Sequence, residues 1–296
     1  MPQLTAADFD QELLDLFNDY IHGAIDRRGF LQKAQKFAVG GVTVGMLLAS
    51  LTPDYAIGQV VPKDDKRIKT ELLSYPSPNG SGTMKGYLAM PANASGKLPG
   101  VIVIHENRGT NPHIEDIARR LAVDGYIALA PDALTPLGGY PGDDEKAAAL
   151  FRTLDQGKAV EDFVAAAQAL KGLAQFNGKY GAVGFCYGGG IVHRLAVRLP
   201  DMSAGVPFYG PPPAAEDAAK VKAQLLMHFA ENDSFINPRW LPYEAALKAA
   251  GARYTAHLYA GTQHGFNNDT TPRFDAAAAK LAWERTLAFF NQTLRG

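Results

Sequence analysis

Cys186 is the only cysteine in the chain and lies in Gly184-Phe185-Cys186-Tyr187-Gly188. A nucleophile between two glycines in the pattern G-x-Nu-x-G sits on a sharp strand-to-helix turn, where a Cβ on either side would keep strand and helix apart. The following helix aims its first N–H groups at the sulfur, which favours thiolate. A thiolate needs a base, and the base an acid to orient it. Past the cysteine, Leu225 to Ala230 is an apolar run ending in Glu231-Asn232-Asp233, and Tyr254 to Tyr259 runs into Gly261-Thr262-Gln263-His264-Gly265. Asp233 and His264 thus follow two strand-like runs in the order nucleophile, acid, histidine. Glu231 is the rival acid, and a turn residue is the ordinary alternative for Asp233. Among the other histidines, His228 and His257 lie within strand-like runs, His193 on the elbow helix, His113 near a pocket edge and His22 in the N-terminal segment.

These groups need a scaffold, and the chain supplies one. Strand-like stretches at Ile68–Tyr75, Met84–Met90, Gly100–His105, Tyr126–Ala130, Gly178–Phe185, Ala204–Tyr209, Gln224–Ala230 and Tyr254–Tyr259 alternate with helical stretches at Ile114–Leu121, Phe163–Leu173, Pro242–Ala250 and Ala276–Phe290. That alternation predicts an α/β fold, a mostly parallel sheet with helices on both faces. The first two strands are joined by Pro76-Ser77-Pro78-Asn79-Gly80 and predict an antiparallel hairpin at one edge. Loops after strand ends line the ligand crevice of such sheets, so Thr135–Tyr140, with Pro136 and Tyr140, and Tyr209–Pro213 are expected pocket walls.

The composition fits a soluble enzyme: 296 residues, 47% hydrophobic, 20% charged and a net charge of −1 with basic residues spread along the chain. Nothing in that pattern points to nucleic acid. One cysteine allows no intramolecular disulfide. No His and Cys stand at ligand spacing along the chain, so no metal or organic cofactor is expected.

Residues 1–60 differ from the catalytic domain expected over 61–296. Leu13, Leu14, Leu16, Phe17, Tyr20 and Ile21 recur at helical spacing; Asp26-Arg27-Arg28-Gly29-Phe30-Leu31 resembles a twin-arginine signal, followed by an uncharged run from Phe37 to Leu51. That run is short for a membrane span and suits a signal-peptide core. Against export stand the acidic stretch before the arginines, Asp26 where serine is usual, and no small-x-small site near Asp54-Tyr55-Ala56. Two readings stay open: an N-terminal helical extension packed on a cytoplasmic enzyme, or a signal region of a periplasmic one.

His105-Glu106-Asn107-Arg108-Gly109 follows the apolar strand from Gly100. A loop in this position completes an oxyanion hole in folds built this way, the Asn107 N–H joining that of Tyr187. Together with Gly125-Tyr126-Ile127-Ala128-Leu129-Ala130-Pro131-Asp132, the Cys186 turn, Asp233 and His264-Gly265-Phe266, these residues resemble the dienelactone hydrolase family, the carboxymethylenebutenolidases of the α/β-hydrolase fold. The resemblance covers about Ile68 to the C-terminus. It implies a thiol nucleophile at Cys186, completed by His264 and Asp233, and hydrolysis of a small ester or lactone through a thioester. It also implies that Glu106 helps keep the resting thiol protonated until substrate displaces it. The family's carboxylate-anchoring arginines are expected after Asp132 and after His264, where this chain has Ala133-Leu134-Thr135-Pro136 and Asn267-Asn268; Arg108 and Arg273 are the available substitutes. His105, Arg108, Tyr209 and Phe266 complete the expected pocket. The rival readings are an amidase or peptidase on the same fold and a non-catalytic binding protein with a pseudo-triad. The partner expected is a small molecule, with no nucleic acid and no stable membrane span; the sequence does not indicate the oligomeric state.

Overall fold

The computed structural model describes residues 4–295. Its centre is one eight-stranded sheet: β1 (Ile68–Ser77), β2 (Gly82–Pro91), β3 (Leu98–Ile104), β4 (Ile127–Pro131), β5 (Phe176–Phe185), β6 (Ala204–Phe208), β7 (Gln224–Asn232) and β8 (Tyr254–Gln263). The spatial order is β1-β2-β4-β3-β5-β6-β7-β8. β1 and β2 form the expected antiparallel edge hairpin, β2 meets β4 antiparallel, and every later pairing is parallel. β3, β4 and β6 are buried on both faces, which explains their unbroken apolar runs.

Helices cover both faces. α4 (Pro112–Val123) and α9 (Ala276–Phe290) lie over one core, which also holds Val101, Val103, Ile117, Leu121 and Phe290. α6 (Gln156–Lys171), α7 (Tyr187–Arg198) and α8 (Asn237–Ala249) lie over the other, built on Ile102, Ile104, Phe163, Leu170, Leu195 and Leu247. α6 starts seven residues before the periodic stretch from Phe163, because Asp155 caps its first turn by accepting from Gly157 N and Lys158 N. α8 likewise begins at Asn237 and carries Pro242 inside it. α5 (Asp144–Phe151), which the apolar pattern does not announce, is capped by Asp143. β7 and β8 run two and four residues past their apolar stretches, bringing their ends to Asn232 and Gln263.

Before the sheet lie α1 (Gln11–Ile21), α2 (Arg27–Lys33) and α3 (Val44–Leu51), each capped by a side-chain oxygen, from Asp10, Asp26 and Thr43 respectively. The uncharged run from Phe37 is interrupted at Gly40 and Gly41, both with positive φ, and only its second half is helical. No helix among the described residues is long and apolar enough to cross a membrane. Leu13, Leu14, Phe17, Ile21, Phe30, Ala34, Leu48 and Leu51 form a cluster of their own. This unit is fastened to the sheet domain by polar contacts: a double amide pair between Gln11 and Gln263, an Arg27–Glu145 ion pair at 2.9 Å, and a hydrogen bond from Asn107 Nδ2 to the Ile21 carbonyl. The connection to β1 is pinned where Val60 N and Val61 N donate to Asp116.

Candidate active site

Strand register explains why the chemical groups meet. Ile104 pairs with Gly184, Phe185 with Phe208, and Asn232 with Gln263. The residues just beyond these pairs, Glu106, Cys186, Tyr209, Asp233 and His264, therefore gather along the carboxyl edge of the sheet.

Cys186 is the residue between β5 and α7 and has φ 54° and ψ −114°, a left-handed conformation that is strained for a residue with a side chain. The flanking glycines are sterically required. A Cβ on Gly184 would lie 2.2 Å from the Gly188 carbonyl oxygen, and one on Gly188 would lie 2.3 Å from that of Ile104. Cys186 N donates to the Phe208 carbonyl at 3.1 Å, which holds the turn to β6. Tyr187 is the first residue of α7, so its N–H has no acceptor within the helix.

Asp233 Oδ2 lies 2.6 Å from His264 Nδ1, and Asp233 Oδ1 accepts from Ile236 N at 3.1 Å; both side chains are buried. Glu231, the rival acid, instead accepts from Gly261 N at an exposed position. Burial opposes the charge on His264, but the Asp233 carboxylate and the Cys186 sulfur outweigh it and hold the imidazole well above its ordinary value. Burial likewise opposes ionisation of Cys186, and the charges of His264 and His22 outweigh it, lowering the thiol. Thiolate and imidazolium stabilise each other.

His22 is the group the linear sequence does not reveal. It caps the C-terminal end of α1, and its Nε2 lies 3.7 Å from Cys186 Sγ. Its ring stacks on Phe235 at 4.3 Å and meets His264 edge-on at 4.5 Å. Cys186 is 6% exposed beneath it. A cavity of about 230 Å³ lies beside it, lined by Tyr20, His22, Asn107, Arg108, Phe151 and Arg152 among others. Although no ligand spacing exists along the chain, folding brings donor atoms of His22, Cys186 and His264 within 4.8 Å of one another.

Glu106 is half-buried and accepts from Asn268 Nδ2 at 3.2 Å. Its charge acts on Arg273 and Tyr209, whereas the thiol is governed by the two imidazoles. Arg273 is buried, its guanidinium 5.1 Å from the centre of the Phe17 ring, with Nε and Nη1 making no hydrogen bond. Arg108 donates to Asn107 Oδ1 and lies 3.6 Å from Asp144. Tyr209 has φ 36°, sets its ring 4.9 Å from that of His264, and leaves its buried hydroxyl without a partner.

Four expected pocket residues do other work. His105 is fully buried; its Nδ1 donates to the Glu106 carbonyl and its Nε2 accepts from Ala133 N, which latches the end of β3 to the end of β4. Phe266 is fully buried against Phe208, Tyr209 and Tyr259, beneath the site. Pro136 is exposed, and Tyr140 donates to Asp144, which Tyr55 also reaches; Tyr140 lines a separate cavity with Thr135 and Asp132. The remaining histidines serve packing or ion pairs: His228 bonds Tyr259 and Thr286, His113 lies 3.2 Å from Asp269, and His193 is buried against Tyr243.

The dienelactone hydrolase family model matches residues 84–294, and a separate model described as YqhI-like matches residues 1–39. An Escherichia coli K12 protein named "Putative hydrolase fragment YghX" is 53% identical over 114 residues, 38% of this chain and 97% of that one. The "Putative carboxymethylenebutenolidase" of the same organism is 32% identical over 248 residues, covering 79% of this chain and 90% of the relative. Among solved structures, the "Putative Dienelactone Hydrolase" of Klebsiella pneumoniae aligns with a TM-score of 0.67 at 30% identity, over 76% of this chain and 99% of that one. With the sheet, the elbow and these likenesses in agreement, the chain belongs to the dienelactone hydrolase family of α/β-hydrolases.

Proposed function

We propose that this hydrolase cleaves a small carboxylic ester or lactone through a thioester at Cys186. The observation that carries the reading is the buried thiol facing His264, whose other nitrogen is held by Asp233 at 2.6 Å. The thiolate attacks the carbonyl carbon, and the N–H groups of Tyr187 and Asn107 receive the developing oxyanion. As the C–O bond breaks, the His264 imidazolium gives its proton to the leaving alkoxide. Water then attacks the thioester with His264 as base, releasing the acid and restoring the thiol pair. Asp233 fixes the imidazole tautomer throughout. Glu106 is tied to Asn268 and acts on Arg273 and Tyr209, so the resting thiol is set by the two imidazoles rather than by this carboxylate. His22 covers the sulfur, so acylation follows an opening of the α1 end.

The buried Arg273 guanidinium, whose Nε and Nη1 make no hydrogen bond, favours an anionic substrate, since a carboxylate supplies the acceptors it lacks. The test is turnover of a panel of small aryl esters and lactones, anionic against neutral, with matched amides. Cys186→Ala should lower ester hydrolysis by at least ~10³-fold. Hydrolysis unchanged by that substitution would remove the thioester mechanism, and faster cleavage of amides than esters would favour a peptidase.

A further inference from the structure

We infer that His22, Cys186 and His264 form a binding site for a zinc-class divalent cation, joining the N-terminal helical unit to the nucleophile. The three donor groups come from the end of α1, the elbow and the loop after β8, and all lie within 4.8 Å of one another. Their second contacts fix which atoms face inward. His22 Nδ1 lies 2.8 Å from the Asn18 carbonyl oxygen, which can only accept, so that nitrogen carries the hydrogen. His264 Nδ1 is held in the same way by the Asp233 carboxylate. Each ring therefore turns its Nε2 toward the sulfur, and His264 Nε2 is buried with no hydrogen-bond partner. An imidazole whose far nitrogen is locked to a carbonyl or carboxylate is the arrangement that orients metal-binding histidines.

The donor set selects the cation. One thiolate and two imidazoles suit Zn²⁺, and exclude Mg²⁺ and Ca²⁺, which take oxygen ligands. Zn–S of about 2.3 Å and Zn–N of about 2.0 Å in a tetrahedron put sulfur and nitrogen roughly 3.5 Å apart. The Cys186–His22 distance of 3.7 Å already matches. Three protein ligands leave the fourth position open to water. Binding releases to solvent the proton of the thiol–imidazole pair, and that of His22 Nε2 when this ring is protonated, in exchange for the cation, with no change of oxidation state. It also occupies the sulfur, so metal binding and attack on an ester exclude each other. The site spans the boundary between the segment matched as YqhI-like and the hydrolase domain.

Co²⁺ added to chelator-treated full-length protein tests the site without reference to hydrolysis. The expected result is one Co²⁺ per chain with a thiolate-to-cobalt charge-transfer band and visible bands of tetrahedral intensity, both reversed by Zn²⁺. Cys186→Ala should abolish the charge-transfer band. His22→Ala should weaken Co²⁺ binding at least tenfold, with His22→Gln made in parallel and both variants checked for folding by circular dichroism. Absence of the band in the native chain overturns the site. So does Co²⁺ affinity that stays unchanged in both folded His22 variants.

Discussion

The imidazole of His22 lies 3.7 Å from the sulfur of Cys186, a contact between residues 164 positions apart. It makes the N-terminal helical unit part of the environment of the nucleophile. Since the His22 charge helps lower the thiol, its loss has a defined sign.

The thiol should ionise with a midpoint of about 6 in the native chain, against an ordinary value of ~8.5. A cation beside a thiol favours the thiolate, so removing one raises the midpoint. In His22→Ala the pH midpoint of iodoacetamide alkylation should move upward and stay below the ordinary value, because His264 remains. A midpoint that does not move would show that His22 only covers the sulfur.

Asp233→Asn removes the carboxylate that holds His264 above its ordinary value and fixes its tautomer. Turnover of a small aryl ester should fall by up to ~10⁴-fold with little change in melting temperature. The alkylation midpoint should rise in the same variant. Retention of more than a tenth of native turnover would assign Asp233 to structure.

Phe30 is fully buried in the N-terminal cluster, which is separate from the cores against the sheet. Phe30→Ala should cost that unit roughly 3–5 kcal/mol. Because each 1.4 kcal/mol is about tenfold in an equilibrium, the unit should open far more often. A bulky maleimide should then modify Cys186 at least tenfold faster while the sheet domain melts near its native temperature. An unchanged rate would mean that reagents reach the sulfur by another path.

Gly184→Ala drives a methyl group into the Gly188 carbonyl oxygen at 2.2 Å, where only backbone could yield. The variant should lose at least ~3 kcal/mol of stability or fail to accumulate as folded protein. Gly82→Ala is the control. Its Cβ meets nothing within 4 Å, so only the cost of its positive φ remains, about 1–2 kcal/mol. Equal melting temperatures for the two variants would refute the steric reading of the elbow.

The sequence by itself determined the sheet, the elbow and the pairing partners of the thiol. Buried parallel strands read as unbroken apolar runs, and a nucleophile between obligatory glycines is a local steric necessity. Residues just past strand ends gather on one edge whenever the sheet is parallel. That is why Asp233 and His264, separated by 31 positions, were legible as neighbours of Cys186. Tertiary structure decided what no spacing encodes. His22 reaches the sulfur because Gln11, Ile21 and Arg27 anchor its helical unit to the sheet domain. His105 and Phe266, close to site residues in sequence, are buried for local reasons: His105 is latched between the Glu106 carbonyl and Ala133 N, and the tight turn through Gly265, with Phe266 N donating to the Gln263 carbonyl, folds Phe266 beneath the site. Arg273 comes beside Glu106 and Phe17 through loop folding alone, and only the assembled chain reveals it as a buried cation with donors to spare.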